Sequence, residues 1–224
     1  MDWTSLQISA WLSLATAVLL LPLGVVLARW LAYSQRPWRP IIEASLALPL
    51  ILPPTVLGFY LLTAMGTASP VGALYQRLVG HPLAFSFEGL LLASVVFNIP
   101  FATMPMQRAF AAIAPDVLDA AKTCGLSSWR TLWRIELPLA WPGILTGLIM
   151  TAAHTLGEFG VVLMVGGSIP GETKTIAIAI YDRVQAFDMH SAGVMSAILL
   201  GLSLTTLLAS AWLGRHHAGG RGVL

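Results

Sequence analysis

Residues 115–138 read Pro115-Asp116-Val117-Leu118-Asp119-Ala120-Ala121-Lys122-Thr123-Cys124-Gly125-Leu126-Ser127-Ser128-Trp129-Arg130-Thr131-Leu132-Trp133-Arg134-Ile135-Glu136-Leu137-Pro138. The stretch divides into two short helices. Pro115 suits a first helical position, where its missing N–H would have no partner anyway. Asp116 and Asp119 lie where the helix dipole favours negative charge, and Lys122 lies near its negative end. Gly125 is the expected stop, because helices often close on a left-handed residue. A second helix follows from about Ser128 through Trp129, Leu132 and Trp133 to Leu137, and Pro138 starts the approach to an apolar run. Val117, Ala121 and Cys124 fall at i, i+4, i+7 and so share a face. The paired alanines let another backbone approach closely. Such a helix suits a groove on another protein. Packing within the chain is the plainer reading, and the pattern alone leaves both open.

Outward from this polar island the chain turns apolar on both sides. Of its 224 residues, 57% are hydrophobic and 10% charged, against about 25% charged in soluble domains. Mean hydropathy is +0.80. The bilayer is therefore the expected solvent, with ~20 apolar residues needed per spanning helix. Five long apolar segments run over residues 8–31, 41–65, 88–112, 140–166 and 193–213. The expected fold is an all-α membrane protein of about five transmembrane helices, one domain over residues 1–224, with the loop at 113–139. The first segment follows an acidic Asp2, is long, and has its basic residues after it, so it reads as a retained helix rather than a cleaved signal.

The basic residues set the expected orientation. With the N-terminus outside and the C-terminus cytoplasmic, the inner segments hold Arg29, Arg36, Arg39, Arg108, Lys122, Arg130, Arg134, Arg215 and Arg221. Only Arg77, Lys174 and Arg183 then lie outside. The net charge of +2 comes without a dense basic cluster, so no nucleic-acid partner is implied. Cys124 is the one cysteine, which excludes an internal disulfide framework and a cysteine-rich metal site. The outer loop at 66–87 is polar and punctuated by Gly66, Pro70, Gly72, Gly80 and Pro82. The outer segment at 167–192 opens on a turn, Gly166 to Gly171. Its alternating Ile176, Ile178 and Ile180 suggest a strand, but no partner strand is in sight, so a short surface helix is the better reading.

A few residues inside the apolar segments stand out. Glu158 is the one acid well inside, and an intramembrane acid is a functional candidate by default. A gate and a structural hydrogen-bond anchor are both open; a direct anion ligand is disfavoured by charge. His154, four residues earlier, shares its helical face and could pair with it. These two alone make no metal site, and none is expected. His216-His217 reads as a solvated tail. Pro53-Pro54, and Pro100 with Asn98, interrupt the second and third segments, either as kinks or as unwound stretches lining a pathway. Gly143 and Gly147 permit close helix packing, within the fold or between two copies.

The loop resembles a cytoplasmic motif of ABC importer permeases: Glu-Ala-Ala, three residues, Gly, nine residues, Ile, one residue, Leu-Pro. This chain has Asp119-Ala120-Ala121, Gly125, Ile135 and Leu137-Pro138 at that spacing, departing only in Asp119 for Glu. Further likeness to the molybdate branch, and to sulfate and thiosulfate permeases, runs through Gly157-Glu158-Phe159-Gly160, Met164 to Gly167, Ile169-Pro170-Gly171 and Thr173 to Asp182. The resemblance implies a permease of a bacterial cytoplasmic (inner) membrane that works as a homodimer. It implies a coupling helix seated on two copies of a cytoplasmic ATP-binding subunit, and an extracytoplasmic anion-binding protein. Membrane lipid is the surrounding partner. The chain itself has no Gly-x-x-x-x-Gly-Lys-[Ser/Thr] phosphate loop, so no cofactor is expected in it; ATP and Mg would bind the ATPase partner. Catalytic residues are not expected. His154, Gly157, Glu158, Gly160, Pro53 and Pro54 are the candidates for a pathway or gate. Molybdate is the substrate named first, then tungstate or sulfate. An ion-coupled secondary transporter would need more intramembrane ionisable residues than Glu158 and His154.

Overall fold

The structure, a computed structural model, describes the backbone of residues 2–219 and the side chains of residues 2–208. Arg215 and the His216-His217 pair lie outside the described side chains, and Arg221 outside the described residues. The described chain is helical and holds no strand. Its helices are α1 (Trp3–Tyr33), α2 (Arg39–Ile51), α3 (Pro54–Met65), α4 (Pro70–Val79), α5 (Phe87–Ala111), α6 (Pro115–Thr123), α7 (Ser128–Thr131), α8 (Leu137–Gly157), α9 (Gly160–Gly166), α10 (Ile176–Gln185) and α11 (Met189–Gly219). A π turn at Leu132–Glu136 joins α7 to α8.

Four helical stretches are long and apolar enough to cross a membrane: Trp3–Tyr33, Phe87–Ala111, Ser128–Gly157 and Met189–Leu208. The pair α2 and α3 also passes, but it is bent by 110°. The packing shows that this pair makes a net crossing. α1 and α5 run parallel, because Thr16 Oγ1 donates to Ser94 Oγ near one end. Further along, Gly24 faces Ala102 and Met106, and near the other end Tyr33 donates to the Phe110 carbonyl. The chain must therefore return across the bundle between Tyr33 and Phe87, and α2 with α3 is what lies there. α8 runs antiparallel to both neighbours. Gly143 faces Pro105 and Ala109, Gly147 faces Ala102, and Ser13 Oγ donates to the Ala152 carbonyl at 3.0 Å.

The five expected segments are thus present, but two are not single helices. Segment 41–65 breaks at Leu52–Pro53, because neither Pro53 nor Pro54 has an N–H to carry the ladder on. Segment 140–166 ends α8 at Gly157 and restarts at Gly160. Conversely, Pro100 does not interrupt α5, which runs unbroken through Pro100 and Pro105. Packed neighbours make such prolines tolerable in a membrane helix. The polar, Gly- and Pro-punctuated loop 66–87 holds α4, whose N-cap Ser69 accepts from Gly72 N–H at 2.9 Å. Residues Ile176 to Gln185 are a helix, as expected, but not a wholly superficial one. Ile176 and Ile178 are buried, and the Ile176 N–H donates to Ser9 Oγ at 2.8 Å.

The main core lies at the loop end of the bundle. Leu20 and Ala28 of α1, Met106 and Phe110 of α5, and Ala140 and Ile144 of α8 form one buried cluster. Gly143 and Gly147 serve this fold directly: a Cβ on Gly143 would collide with Ala109, and one on Gly147 would lie 2.6 Å from the Ala102 carbonyl oxygen. At the opposite end, α11 begins beside α1 and α10, where Met195 packs with Leu6, Ile176 and Ala179. Asp188 precedes α11 and accepts from the Ser191 N–H at 3.1 Å. That hydrogen bond holds its carboxyl below the usual carboxylate range.

Candidate functional site

Two places gather the residues singled out by the sequence. The first is the loop between α5 and α8. α6 carries Pro115 in its first turn, Asp116 behind it and Lys122 in its last turn. It closes as a double-bonded left-handed cap: Gly125 takes φ +74°, and the Leu126 N–H reaches back to the Ala121 carbonyl at 3.0 Å while the Gly125 N–H bonds Lys122. Nothing lies within 4 Å of where a Gly125 Cβ would be. Ala121 is buried at 3% exposure, and Leu118 packs against the main core. These two residues seat α6 on its own chain. Ala121 therefore does not share an outward face with Val117 and Cys124, as the spacing suggested. The free face instead carries Val117, Ala120 and Cys124, all exposed, at i, i+3, i+7. Lys122 Nζ pairs with Asp119 Oδ1 at 2.8 Å, with both side chains well exposed, an arrangement worth little to stability.

Ile135, Leu137 and Pro138 fall at the π turn and the start of α8. The Leu137 N–H bonds the Leu132 carbonyl, five residues back. The second loop helix and the membrane helix are therefore one continuous rod over Ser128–Gly157, not two elements separated at Pro138. A wide turn of this kind is a recurrent device at functional positions. Here it brings Thr131 and Glu136, five apart, both into the interior. Glu136 receives Arg29 of α1 in a two-pronged contact, Nε to Oε2 at 2.5 Å and Nη2 to Oε1 at 2.9 Å. The Arg29 guanidinium also lies 5.7 Å from the centre of the Tyr33 ring. Sequence reading missed Glu136, and nothing local marks it, because its burial is made by the wide turn and its partner lies 107 residues away.

The second place is inside the bundle. Glu158 sits at the break between α8 and α9 and is 4% exposed. Its Oε2 accepts from Ser94 Oγ and from Asn98 Nδ2, both at 3.3 Å, and its Oε1 has no partner among the described residues. Ser94 in turn accepts from Thr16 at 3.1 Å. Asn98 Nδ2 also donates to the Ser94 carbonyl at 2.9 Å. That bond orients the amide, so the Asn98 Oδ1 accepts from His154 Nδ1 at 3.0 Å. His154 therefore does not pair with Glu158 directly; Asn98 stands between them. The His154 ring stacks on Phe101, centroids 3.9 Å apart. The result is one polar chain through α1, α5 and α8, in which Asn98, Ser94 and Thr16 are as central as the acid.

The two helix breaks meet beside this chain. A Cβ on Gly160 would lie 2.8 Å from the Pro54 Cβ, and one on Gly58 would lie 2.8 Å from the Met164 Cβ. Thus α3 and α9 run side by side, starting together at Pro54 and Gly160. First-turn N–H groups of a helix lack intrahelical partners; Pro53 and Pro54 bring none, so those at the joint belong mainly to the start of α9. Pro53, Pro54 and Gly157 are exposed at the joint, whereas Glu158 is buried. Among the described residues no three His, Cys, Asp or Glu side chains gather to hold a metal.

Helices long enough to cross a membrane, paired breaks within the bundle, and a helix presented at one end make this a polytopic membrane component. The chain belongs to the family of binding-protein-dependent transport system inner membrane components, whose pattern matches residues 8–218. It is 43% identical, over 97% of its length and 96% of the other, to the molybdenum transport system permease protein ModB of Azotobacter vinelandii. The ModB protein of Escherichia coli K12 is 34% identical, with 96% and 94% covered. A probable sulfate transport system permease protein of Chlorokybus atmophyticus is 31% identical over 82% of this chain and 64% of that one. In fold the chain resembles a bacterial ABC transporter that imports the acidic polysaccharide alginate, with a TM-score of 0.76, 16% identity, and coverage of 95% and 78%.

Proposed function

We propose that this chain is the membrane permease of an ATP-driven importer of molybdate. The observation that carries the reading is the loop at 113–139. A helix opened by Pro115 and closed by the left-handed cap at Gly125, seated on its own chain by Leu118 and Ala121, presents Val117, Ala120 and Cys124 outward. Small side chains there let a partner backbone close in, as a helix set in a groove requires. The partner is an ATP-binding subunit, one for each of two permease copies, and it brings the ATP and Mg. Asp119, Ala120, Gly125, Ile135, Leu137 and Pro138 form the coupling segment, with Ala121 acting from the inner side. Arg29 and Glu136 tie its exit to α1, so motion of the loop reaches two membrane helices together.

A second copy completes the pathway. Exposed Ile51, Phe59 and Tyr60 on α2 and α3, at 79%, 55% and 63% exposure, support an apolar seam beside the Pro53-Pro54 joint. Pro53, Pro54, Gly157 and Gly160 line or gate the path, and Glu158 anchors the break from behind. No lysine or arginine is needed there, since a conduit must release what it binds. Backbone amides at the joint offer weak, transient donors to an anion. An extracytoplasmic binding protein delivers the anion at the α4 end. The excess of arginine at the loop end supports a cytoplasmic position for that end, with the N-terminus outside.

The likeness to sulfate permeases supports a second reading in which the cargo is sulfate or thiosulfate, with tungstate as the near mimic of molybdate. The complex, reconstituted with its ATPase and binding protein in vesicles, is tested by uptake of labelled molybdate against tungstate and sulfate. Molybdate and tungstate should compete and sulfate should not. ATP-driven uptake should persist with an uncoupler present; uptake that follows an ion gradient without ATP would overturn the importer reading.

A further inference from the structure

Between α1 and the start of α8 lies a groove of about 580 Å³ whose lining is almost entirely apolar, with walls from Val25, Leu137 and Ile144. Three tryptophans rim it. Trp129, Trp133 and Trp141 are 67%, 57% and 46% exposed, and the Trp129 and Trp133 rings meet edge to face at 5.6 Å. From Trp129 to Ile144 the groove follows one continuous rod of helix, about 20 Å at ~1.5 Å per residue. That is close to the depth of one leaflet's hydrocarbon, about 15 Å, plus its interface. Tryptophans concentrate at such interfaces, where one edge of the ring is wet.

Charge stands at the wet end. Arg130 and Arg134 each follow a rim tryptophan in sequence and are exposed. Neither makes an ion pair among the described residues, whereas Arg29, at the same end, is committed to Glu136. Basic side chains next to the rim of an apolar inter-helix groove suit an anionic lipid headgroup. We propose that this groove is a binding site for an anionic phospholipid of the leaflet on the loop side. An acyl chain lies along Val25 and Ile144, and the headgroup phosphate rests on Arg130 and Arg134. The site sits on the rod that carries the loop, so its occupant touches the element that moves with the loop.

The test uses the full chain in zwitterionic nanodiscs, doped with phosphatidylglycerol or phosphatidylcholine brominated on the acyl chains. The quenching of Trp129, Trp133 and Trp141 is taken as the part lost in the W129F/W133F/W141F variant. Brominated phosphatidylglycerol should reach half-quenching at a mole fraction on the order of tenfold lower than brominated phosphatidylcholine. In Arg130→Gln/Arg134→Gln, where only exposed side chains change, that preference should vanish while quenching by phosphatidylcholine stays. Equal quenching by the two lipids in the native chain, or a preference surviving the double replacement, would overturn the proposal. So would quenching by neither, the outcome expected if a protein segment fills the groove.

Discussion

At the residue scale, Gly125 and Glu136 show two kinds of legibility. Gly125 was readable because a left-handed helix end has a strong preference for glycine, and its φ of +74° bears this out. Its position also makes a clean experiment. Open space surrounds it, so Gly125→Asp strains the backbone by roughly 1 kcal/mol without a clash inside the chain. The variant should reach the membrane in normal amount, yet show neither uptake nor stimulation of the ATPase; normal values of both would remove the docking role. Glu136 was not readable. A lone acid before a Leu-Pro pair carries no periodic signal, and its significance comes from Arg29. The pair is buried on the Glu136 side and about one third exposed on the Arg29 side, so losing it costs roughly 1–2 kcal/mol, less than a fully buried pair. Glu136→Ala should lower unfolding stability in micelles by that order, and Glu136→Gln by less, since an amide oxygen still accepts from the guanidinium.

At the scale of elements, hydropathy found the apolar segments, and prolines marked only one of their two breaks, the one at Pro53-Pro54. Prolines at 53–54 and at 100 look alike in sequence. The first pair breaks a helix because two consecutive residues lack N–H groups, while Pro100 sits in a rod supported on both sides by α1 and α8. The break after Gly157 has no proline at all. It falls where the Glu158 backbone turns extended, at ψ 129°, with the side chain bonded to α5 and Gly160 letting α9 approach Pro54. Gly160→Val should separate α3 from α9. The expected result is a lower melting temperature in detergent, whereas Gly157→Ala, with no atom within 4 Å of its Cβ, should melt like the native chain. An equal loss in both would mean that the joint is not the contact that matters. The Gly143 and Gly147 pair, compatible in sequence with either a dimer or the fold, belongs to the packing of α8 on α5.

At the scale of the molecule, the crossing count rests on the parallel run of α1 and α5, which obliges the bent pair to traverse the bundle. The proposed orientation rests on arginine placement and has its own test. Cys124 is the one native cysteine and is exposed on the loop, so in cells making this chain without an ATPase partner to cover it, a membrane-impermeant thiol reagent should label it only after permeabilisation. Thr67→Cys in a Cys124→Ser background places a thiol in the exposed turn between α3 and α4 and should label in intact cells. The reverse pattern would invert the topology.

The sequence alone determined that the chain is a bundle of membrane helices with a capped polar loop between its third and fourth apolar segments, and that this loop matches a permease motif at fixed spacing. These are local properties: hydropathy, proline and glycine stereochemistry, and offsets along one chain. Tertiary structure decided which loop residues face outward, that Asn98 rather than His154 stands beside Glu158, that the two helix breaks abut, and that Arg29 closes on Glu136. Each depends on residues dozens of positions apart being brought together, and no periodicity within a segment encodes which face of one helix will meet which face of another.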